Sequence, residues 1–210
     1  MEKHAQVSLN LPYETLNELS PNTKNIWIVF HGYGMLSRYF IRKFGTLDPK
    51  ENYIIAPQGI AKFYLDGFSG RVGATWMTKE DRLTEIDNQK AYIDAVLRSE
   101  AVDDEKYNLI FFGFSQGVAT VSRYLVRSQW KFNKLVLWAG SFPPEIDRKD
   151  TENWSKKLQI QYFTGTKDEF LKPGMIDNMV GVVQKATGIS PEVITFDGKH
   201  EVVADLLHRV

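Results

Sequence analysis

Gly113-Phe114-Ser115-Gln116-Gly117 sets a serine two residues from a glycine on either side. Placed after an apolar strand and opening a helix, such a serine can be a nucleophile. The turn is so tight that a side chain at either glycine would meet strand or helix, and the helix N-terminus below the hydroxyl favours negative charge. The plain alternative is a serine that only caps a helix. A serine hydroxyl needs a base, and the base needs an acid to orient it. Where a serine stands on a turn of this kind, the acid and then the histidine follow in the chain, on loops after later strands. Asp168, in Gly165-Thr166-Lys167-Asp168-Glu169, and His200, in Asp197-Gly198-Lys199-His200, occupy those places. His200 is expected at a strand-to-helix junction, whereas His208 falls on the terminal helix. Glu169 and Asp197 rival Asp168, although Asp197 lies too near His200 along the chain to reach its Nδ1 from behind. Two backbone N–H groups are expected to hold a developing oxyanion: that of Gln116, and that of Tyr33 in His31-Gly32-Tyr33-Gly34. Each such donor is worth about 3–4 kcal/mol of barrier. His31 leaves a strand ahead of the serine and is expected to hold its loop by hydrogen bonds rather than to move protons.

The elements that must position these residues follow a regular rhythm. Ile26-Trp27-Ile28-Val29-Phe30 is a continuous apolar run of the kind buried on both faces of a parallel sheet. Similar runs are Tyr53-Ile54-Ile55-Ala56, Leu109-Ile110-Phe111-Phe112, Leu135-Val136-Leu137-Trp138, Ile160-Gln161-Tyr162-Phe163 and Val193-Ile194-Thr195-Phe196. Between them lie helical stripes: Leu36, Tyr39, Phe40 and Phe44, closed by Gly45; residues 85–98; Val118, Val121 and Leu125; and Ile176, Met179, Val180 and Val183 after Pro173. Val203, Leu206, Leu207 and Val210 predict a terminal helix. Strands alternating with helices predict a mostly parallel sheet with helices on both faces, in one domain over 1–210. Gln6-Val7-Ser8-Leu9 reads as an edge strand. Residues 57–79 carry glycines and aromatics with no clear period and read as a long loop, a length that is uncommon and often functional.

Composition removes several function classes. Lys and Arg total 26 against 26 Asp and Glu, so the formal charge is zero. A nucleic-acid binder would show a basic footprint, and a polybasic membrane contact would too. The chain has no cysteine, which excludes disulfides, thiolate metal sites and cysteine nucleophiles. Four widely spread histidines lack metal-motif spacing, so neither metal nor cofactor is expected. No apolar run approaches the ~20 residues that span a bilayer, and the N-terminus lacks the apolar stretch of a signal peptide. A cytoplasmic protein with no integral membrane association is expected.

Taken together, His31-Gly32-Tyr33-Gly34, Ala56-Pro57, Gly113-Phe114-Ser115-Gln116-Gly117, Gly165 with Asp168, and Gly198 with His200 resemble the phospholipase/carboxylesterase group of α/β-hydrolases. This compact group without a lid domain includes acyl-protein thioesterases, and the likeness runs in order over almost the whole chain. It implies an α/β-hydrolase fold, Ser115, Asp168 and His200 as triad, and Tyr33 and Gln116 as oxyanion donors. The chain departs from the group's usual pattern at Met35 after the glycine-rich loop, at Val118 after the serine turn, and in the acid loop, Asp168-Glu169-Phe170-Leu171. The likeness also places the 57–79 loop at the rim of the pocket, with Trp76 and Phe68 as candidate substrate-binding residues beside Phe142. For these aromatics, packing of a loop against the core is the plain alternative. The expected function is hydrolysis of short- to medium-chain carboxylic esters, small-molecule esters or thioesters being the partners. Alternatives are a thioesterase or lysophospholipase, a peptidase or acyltransferase using the same residues, and a non-catalytic binding module.

Overall fold

The computed structural model describes residues 3–210. The strands are β1 (Tyr13–Leu16), β2 (Asn25–Phe30), β3 (Asn52–Pro57), β4 (Ala61–Tyr64), β5 (Val72–Thr75), β6 (Asn108–Phe114), β7 (Lys134–Trp138), β8 (Gln159–Gly165) and β9 (Glu192–Phe196), and the six apolar runs fall in β2, β3 and β6 to β9. Seven of the strands make one sheet in the order β1-β3-β2-β6-β7-β8-β9. β1 is antiparallel to β3, and the other pairs are parallel. The helices are α1 (Ser37–Phe40), α2 (Arg82–Ser99), α3 (Gln116–Leu125) and α4 (Met175–Thr187).

Alternation of side chains along each strand divides the core into two layers. Ile26, Ile28 and Phe30 of β2, with Leu109 and Phe111 of β6, pack on one face against Ile93 and Leu97 of α2, Val118 and Val121 of α3, and Val183 of α4. Trp27 and Val29, with Ile110, Phe112 and Phe114, face the other way, against Phe40, Phe44 and Leu207. Both faces are covered, so the central strands need apolar residues at every position. The result is a three-layer α/β-hydrolase fold.

The winding of the sheet fixes where a site can form. From β2 the chain steps outward to β3, then returns past β2 to β6. At such a reversal the connections leave on opposite faces, and a crevice opens beyond the carboxyl ends of the strands. Those ends are Phe30 of β2, followed by His31, and Phe114 of β6, followed by Ser115.

Four expectations are corrected. Residues 6–9 form no strand, and the antiparallel edge strand is β1; Val7 and Leu9 are exposed, with no apolar face to cover. Residues 57–79 are not structureless, because β4 and β5 pair as an antiparallel ribbon from Ala61–Thr75 to Tyr64–Val72. The ribbon is largely exposed along β4 and carries Gly73 in β5, so it lacks the two-residue hydrophobic period that a half-buried strand would show. The stripe at Leu36, Tyr39, Phe40 and Phe44 is α-helical only over α1 and continues as a 3₁₀ helix over Ile41–Thr46, which includes Gly45. The terminal stripe is a 3₁₀ helix over Ala204–Arg209. In both, the apolar spacing reports the buried face without distinguishing the two helical pitches.

His31 ties the end of β2 to the segment after β3. Its Nδ1 donates to the Gly32 carbonyl at 2.7 Å, and its Nε2 accepts from the Gly59 N–H at 2.9 Å and lies 3.1 Å from Gln58 Nε2. The ring is fully buried and packs 4.9 Å from that of Trp76. Burial disfavours the imidazolium and lowers the His31 pKa to about 4, outweighing the Gly32 hydrogen bond, which raises it. Between that value and the unfolded value near 6.5 the unfolded chain binds the extra proton, so stability falls as pH drops through the window. From pH 7.5 to 5 the loss amounts to about 2 kcal/mol. In urea titrations at pH 7.5 and 5, wild type should lose about that much more stability than His31→Gln; equal losses would show that His31 titrates like an exposed imidazole.

Candidate active site

Ser115 links β6 directly to α3 with φ 53° and ψ −117°, a sparsely populated conformation for a residue with a Cβ. Its N–H donates to the Trp138 carbonyl at 2.9 Å, and its own carbonyl accepts from the Val118 N–H at 3.0 Å. The flanking glycines are required by contact. A Cβ on Gly113 would lie 2.6 Å from the Gly117 carbonyl, and one on Gly117 would lie 2.2 Å from the Phe30 carbonyl. The start of α3 therefore presses against the end of β2, and the Gly32 backbone runs close to the Phe114 ring.

Asp168 and His200 meet because β8 and β9 are parallel neighbours and their loops interlock. Thr166 N–H donates to the Phe196 carbonyl at 2.8 Å, and Lys167 N–H to the Gly198 carbonyl at 2.9 Å. Only a glycine fits at 165, where a Cβ would come within 2.3 Å of the Gly198 carbonyl. His200 Nδ1 lies 2.7 Å from Asp168 Oδ2, and its Nε2 lies 2.9 Å from Ser115 Oγ. An ionised carboxylate only accepts, so the ring proton belongs on Nδ1 and the bare Nε2 accepts from the serine hydroxyl. The second Asp168 oxygen accepts the Phe170 N–H at 2.9 Å. Asp168 is buried, and the imidazole sits between the Phe114 ring at 5.0 Å and the edge-on Phe170 ring at 4.8 Å. The rival acids lie elsewhere: Asp197 pairs with Lys167 Nζ at 2.6 Å, and Glu169 is exposed.

The two expected oxyanion donors sit on the segments that the glycines bring together. Gln116 is the first residue of α3, where a helix leaves its N–H groups without intrahelical acceptors. Tyr33 lies in the turn after His31, with its ring exposed and 5.1 Å from that of Phe63. Among the described residues no acceptor is hydrogen-bonded to its backbone N–H.

A cavity of about 350 Å³ opens beside Ser115 and His200. Ala119, Tyr162, Thr164, Leu171 and Met175 line it, with Phe170 at the imidazole. Tyr162 and Thr164 stand two apart on β8 and so share a face. Burial raises the Tyr162 pKa, with a smaller contribution from the Asp168 charge and an opposing hydrogen bond from Thr164. The phenol stays protonated.

The three aromatics expected to bind substrate are not among the cavity-lining residues. Trp76 is 1% exposed, and its indole N–H donates to the His31 carbonyl at 2.9 Å. Phe142 is 2% exposed within the core layer that packs on α2, α3 and α4, although its neighbour Ser141 does reach the cavity. Phe68 is 99% exposed at the tip of the β4–β5 ribbon. The sequence reading missed Tyr162, Thr164, Leu171 and Met175. The available signals were the alternation that puts residues 162 and 164 on one side of β8, and the apolar pair straight after the acid loop. Among the described residues, no group of three or more His, Asp or Glu is arranged to hold a metal ion. No helix there is long and apolar enough to cross a membrane.

Comparison with known proteins agrees with this architecture. Among solved structures, the esterase PE8 matches with TM-score 0.69 at 18% identity, over 94% of this chain and 95% of that one. The acyl-protein thioesterase 2 of Zea mays matches with TM-score 0.69 at 14% identity, over 95% and 96%. A carboxylesterase from Mesorhizobium loti gives TM-score 0.69 at 14% identity, over 95% and 93%. At these identities the likeness is one of fold. A search of curated proteins returns no match. The model of the phospholipase/carboxylesterase family matches residues 13–210, from the edge strand to the end of the chain. The chain belongs to the phospholipase/carboxylesterase family of hydrolases.

Proposed function

We propose that the protein is a serine carboxylesterase that hydrolyses short- to medium-chain esters through an acyl-enzyme. The observation that carries this reading is the hydrogen-bonded series Ser115 Oγ, His200 Nε2, His200 Nδ1, Asp168 Oδ2. Ser115 Oγ attacks the acyl carbonyl carbon as its proton passes to His200 Nε2. Asp168 holds the imidazole with its proton on Nδ1 and stabilises the cation that forms. The backbone N–H groups of Tyr33 and Gln116 receive the carbonyl oxygen as it becomes negative. Collapse breaks the bond to the alcohol oxygen, which takes the proton from His200. Water then repeats the sequence in reverse roles, His200 removing its proton, and the carboxylic acid leaves.

The acyl chain is assigned to the cavity bounded by Ala119, Leu171 and Met175, because the acyl group stays bonded to Ser115 at its wall. Its volume is at the small end of the roughly 300–1,000 Å³ typical of ligand pockets. That supports a chain of limited length. A thioester presents the same carbonyl to the same groups, so the leaving atom is a matter for measurement.

A fluorophosphonate probe should label the wild type and leave Ser115→Ala unlabelled; labelling that survives in the variant refutes the assignment. Asp168→Asn frees the imidazole to take the wrong tautomer, and kcat for p-nitrophenyl butyrate should fall by about 10⁴-fold. A drop of only a fewfold would give the acid's role to another group. Across p-nitrophenyl esters, each added methylene that is buried contributes about 0.8 kcal/mol. We therefore expect kcat/KM to rise through butyrate and hexanoate and then level off. A rise that continues to palmitate contradicts an acyl site confined to this cavity. The same acyl series as thioesters and amides separates esterase from thioesterase and peptidase.

A further inference from the structure

Gln116 offers more than a backbone N–H. Its side-chain amide reaches the end of β5 and the residues that follow it, and makes a two-way set of hydrogen bonds there. Nε2 donates to Thr75 Oγ1 at 2.8 Å and to the Met77 carbonyl at 3.0 Å. Oε1 accepts from the Trp76 N–H at 3.2 Å and lies 3.2 Å from Thr75 Oγ1. Only a primary amide meets both demands; a carboxylate there would face the Met77 carbonyl oxygen with negative charge.

The segment so held is fastened on its other side to the loop that carries Tyr33. Gly34 N–H donates to the Ala74 carbonyl at 2.8 Å, and Ala74 N–H to the Met35 carbonyl at 3.2 Å. The Trp76 indole N–H bonds the His31 carbonyl, and β5 lies so close to the loop that a Cβ on Gly73 would be 2.5 Å from the Gly34 carbonyl. Residues 74–77 are therefore a rigid spacer. One side is bonded to the side chain of the residue that supplies one oxyanion donor, and the other to His31, Gly34 and Met35, which flank the second donor.

We propose that the Gln116 side chain is a positioning residue that fixes the spacing of the two oxyanion donors, its own N–H and that of Tyr33, through residues 74–77. This rests on the serine-esterase reading for its kinetic consequence and on the hydrogen bonds alone for its structural one. Donor placement matters because the oxyanion gains most when both N–H groups already point at it, and a misplacement of about 1 Å can cost ~10²-fold in rate.

Three variants test it: Gln116→Ala, Gln116→Glu, which keeps the bulk but loses both donated bonds, and Thr75→Val, which cuts the same link without touching α3. Each is expected to lower kcat for p-nitrophenyl butyrate by about 10–10²-fold with KM within about twofold. Affinity for a trifluoromethyl ketone, which forms the oxyanion, should fall in parallel with kcat. A merely structural role would lower the melting temperature and leave the turnover of the folded enzyme intact, and that result overturns the proposal. Deuterium exchange reads the link whether or not the enzyme acts on esters. Amides of residues 32–35 should exchange faster in all three variants, with α3 still protected, and unchanged exchange there overturns the proposal on its own. Wild type that hydrolyses no ester or thioester, yet shows the exchange difference, would sink the esterase reading and leave the spacer standing.

Discussion

The conformation of Ser115 is the constraint on which the rest of the site depends. A non-glycine residue at φ 53° and ψ −117° costs on the order of 1–3 kcal/mol and persists only where its surroundings leave it no alternative. Here the strand before it and the helix after it are both fixed by the core. Phe112 and Phe114 are buried on one face of the sheet, and Val118 and Val121 on the other. The chain must cross from one layer to the other within a single residue. Gly113 and Gly117 allow the crossing, and the Trp138 carbonyl receives the serine N–H. The strain lifts the hydroxyl clear of both elements, toward the crevice that the strand order opens between β2 and β6.

Two histidines stand at the ends of parallel strands, and their surroundings give them different chemistry. The Nδ1 of His31 meets a backbone carbonyl and its Nε2 meets an amide N–H, so every site on the ring is occupied by neutral partners in a buried place. Such a ring is held neutral and acts as a brace. The Nδ1 of His200 meets a carboxylate, and its Nε2 meets only a hydroxyl at the edge of a cavity. A positive charge on that ring has a partner waiting for it. What distinguishes the two rings is the group on Nδ1, supplied for His200 by the interlocked loops after β8 and β9.

Much of this was legible in the sequence because the strongest signals are those of parallel strands buried on both faces. Each apolar run, from Ile26 to Phe196, marks a strand within a residue or two, and the residues that meet at the crevice all lie just past the ends of such runs. The ribbon formed by β4 and β5 was not legible, since a strand that buries little and carries a glycine shows no period. The roles of the aromatics near it were hidden for a related reason. Trp76 and Phe68 are alike as sequence, yet one ring fills the space beside His31 and the other projects into solvent. That difference is set by where the ribbon folds back, a long-range matter that local pattern does not encode. Tyr162 escaped notice because its side chain lies within the apolar run of β8 and reads simply as core.

The points where the chain departs from the family's usual pattern fall mainly on one side of the site. Val118 is fully buried, and its side chain occupies the space that a Cβ on Gly140 would need. Ala119, which follows it in the chain, and Gly140, which lies against it, are cavity wall. Phe170 and Leu171, in the divergent acid loop, are wall as well, and the Phe170 N–H also anchors Asp168. The two glycine-framed segments that meet at Ser115, and the glycines that seat Asp168 and His200, keep the family's residues. A glycine whose Cβ would lie 2.2 Å from a carbonyl cannot change without moving the backbone, whereas a wall residue can change size and leave the backbone where it is. The groups assigned to chemistry are thus held by contacts that tolerate almost no substitution, while the shape of the space beside them is free to vary. That asymmetry fits a chain in which the proposed reacting groups stand on rigid glycine turns while the residues beside them only line a space.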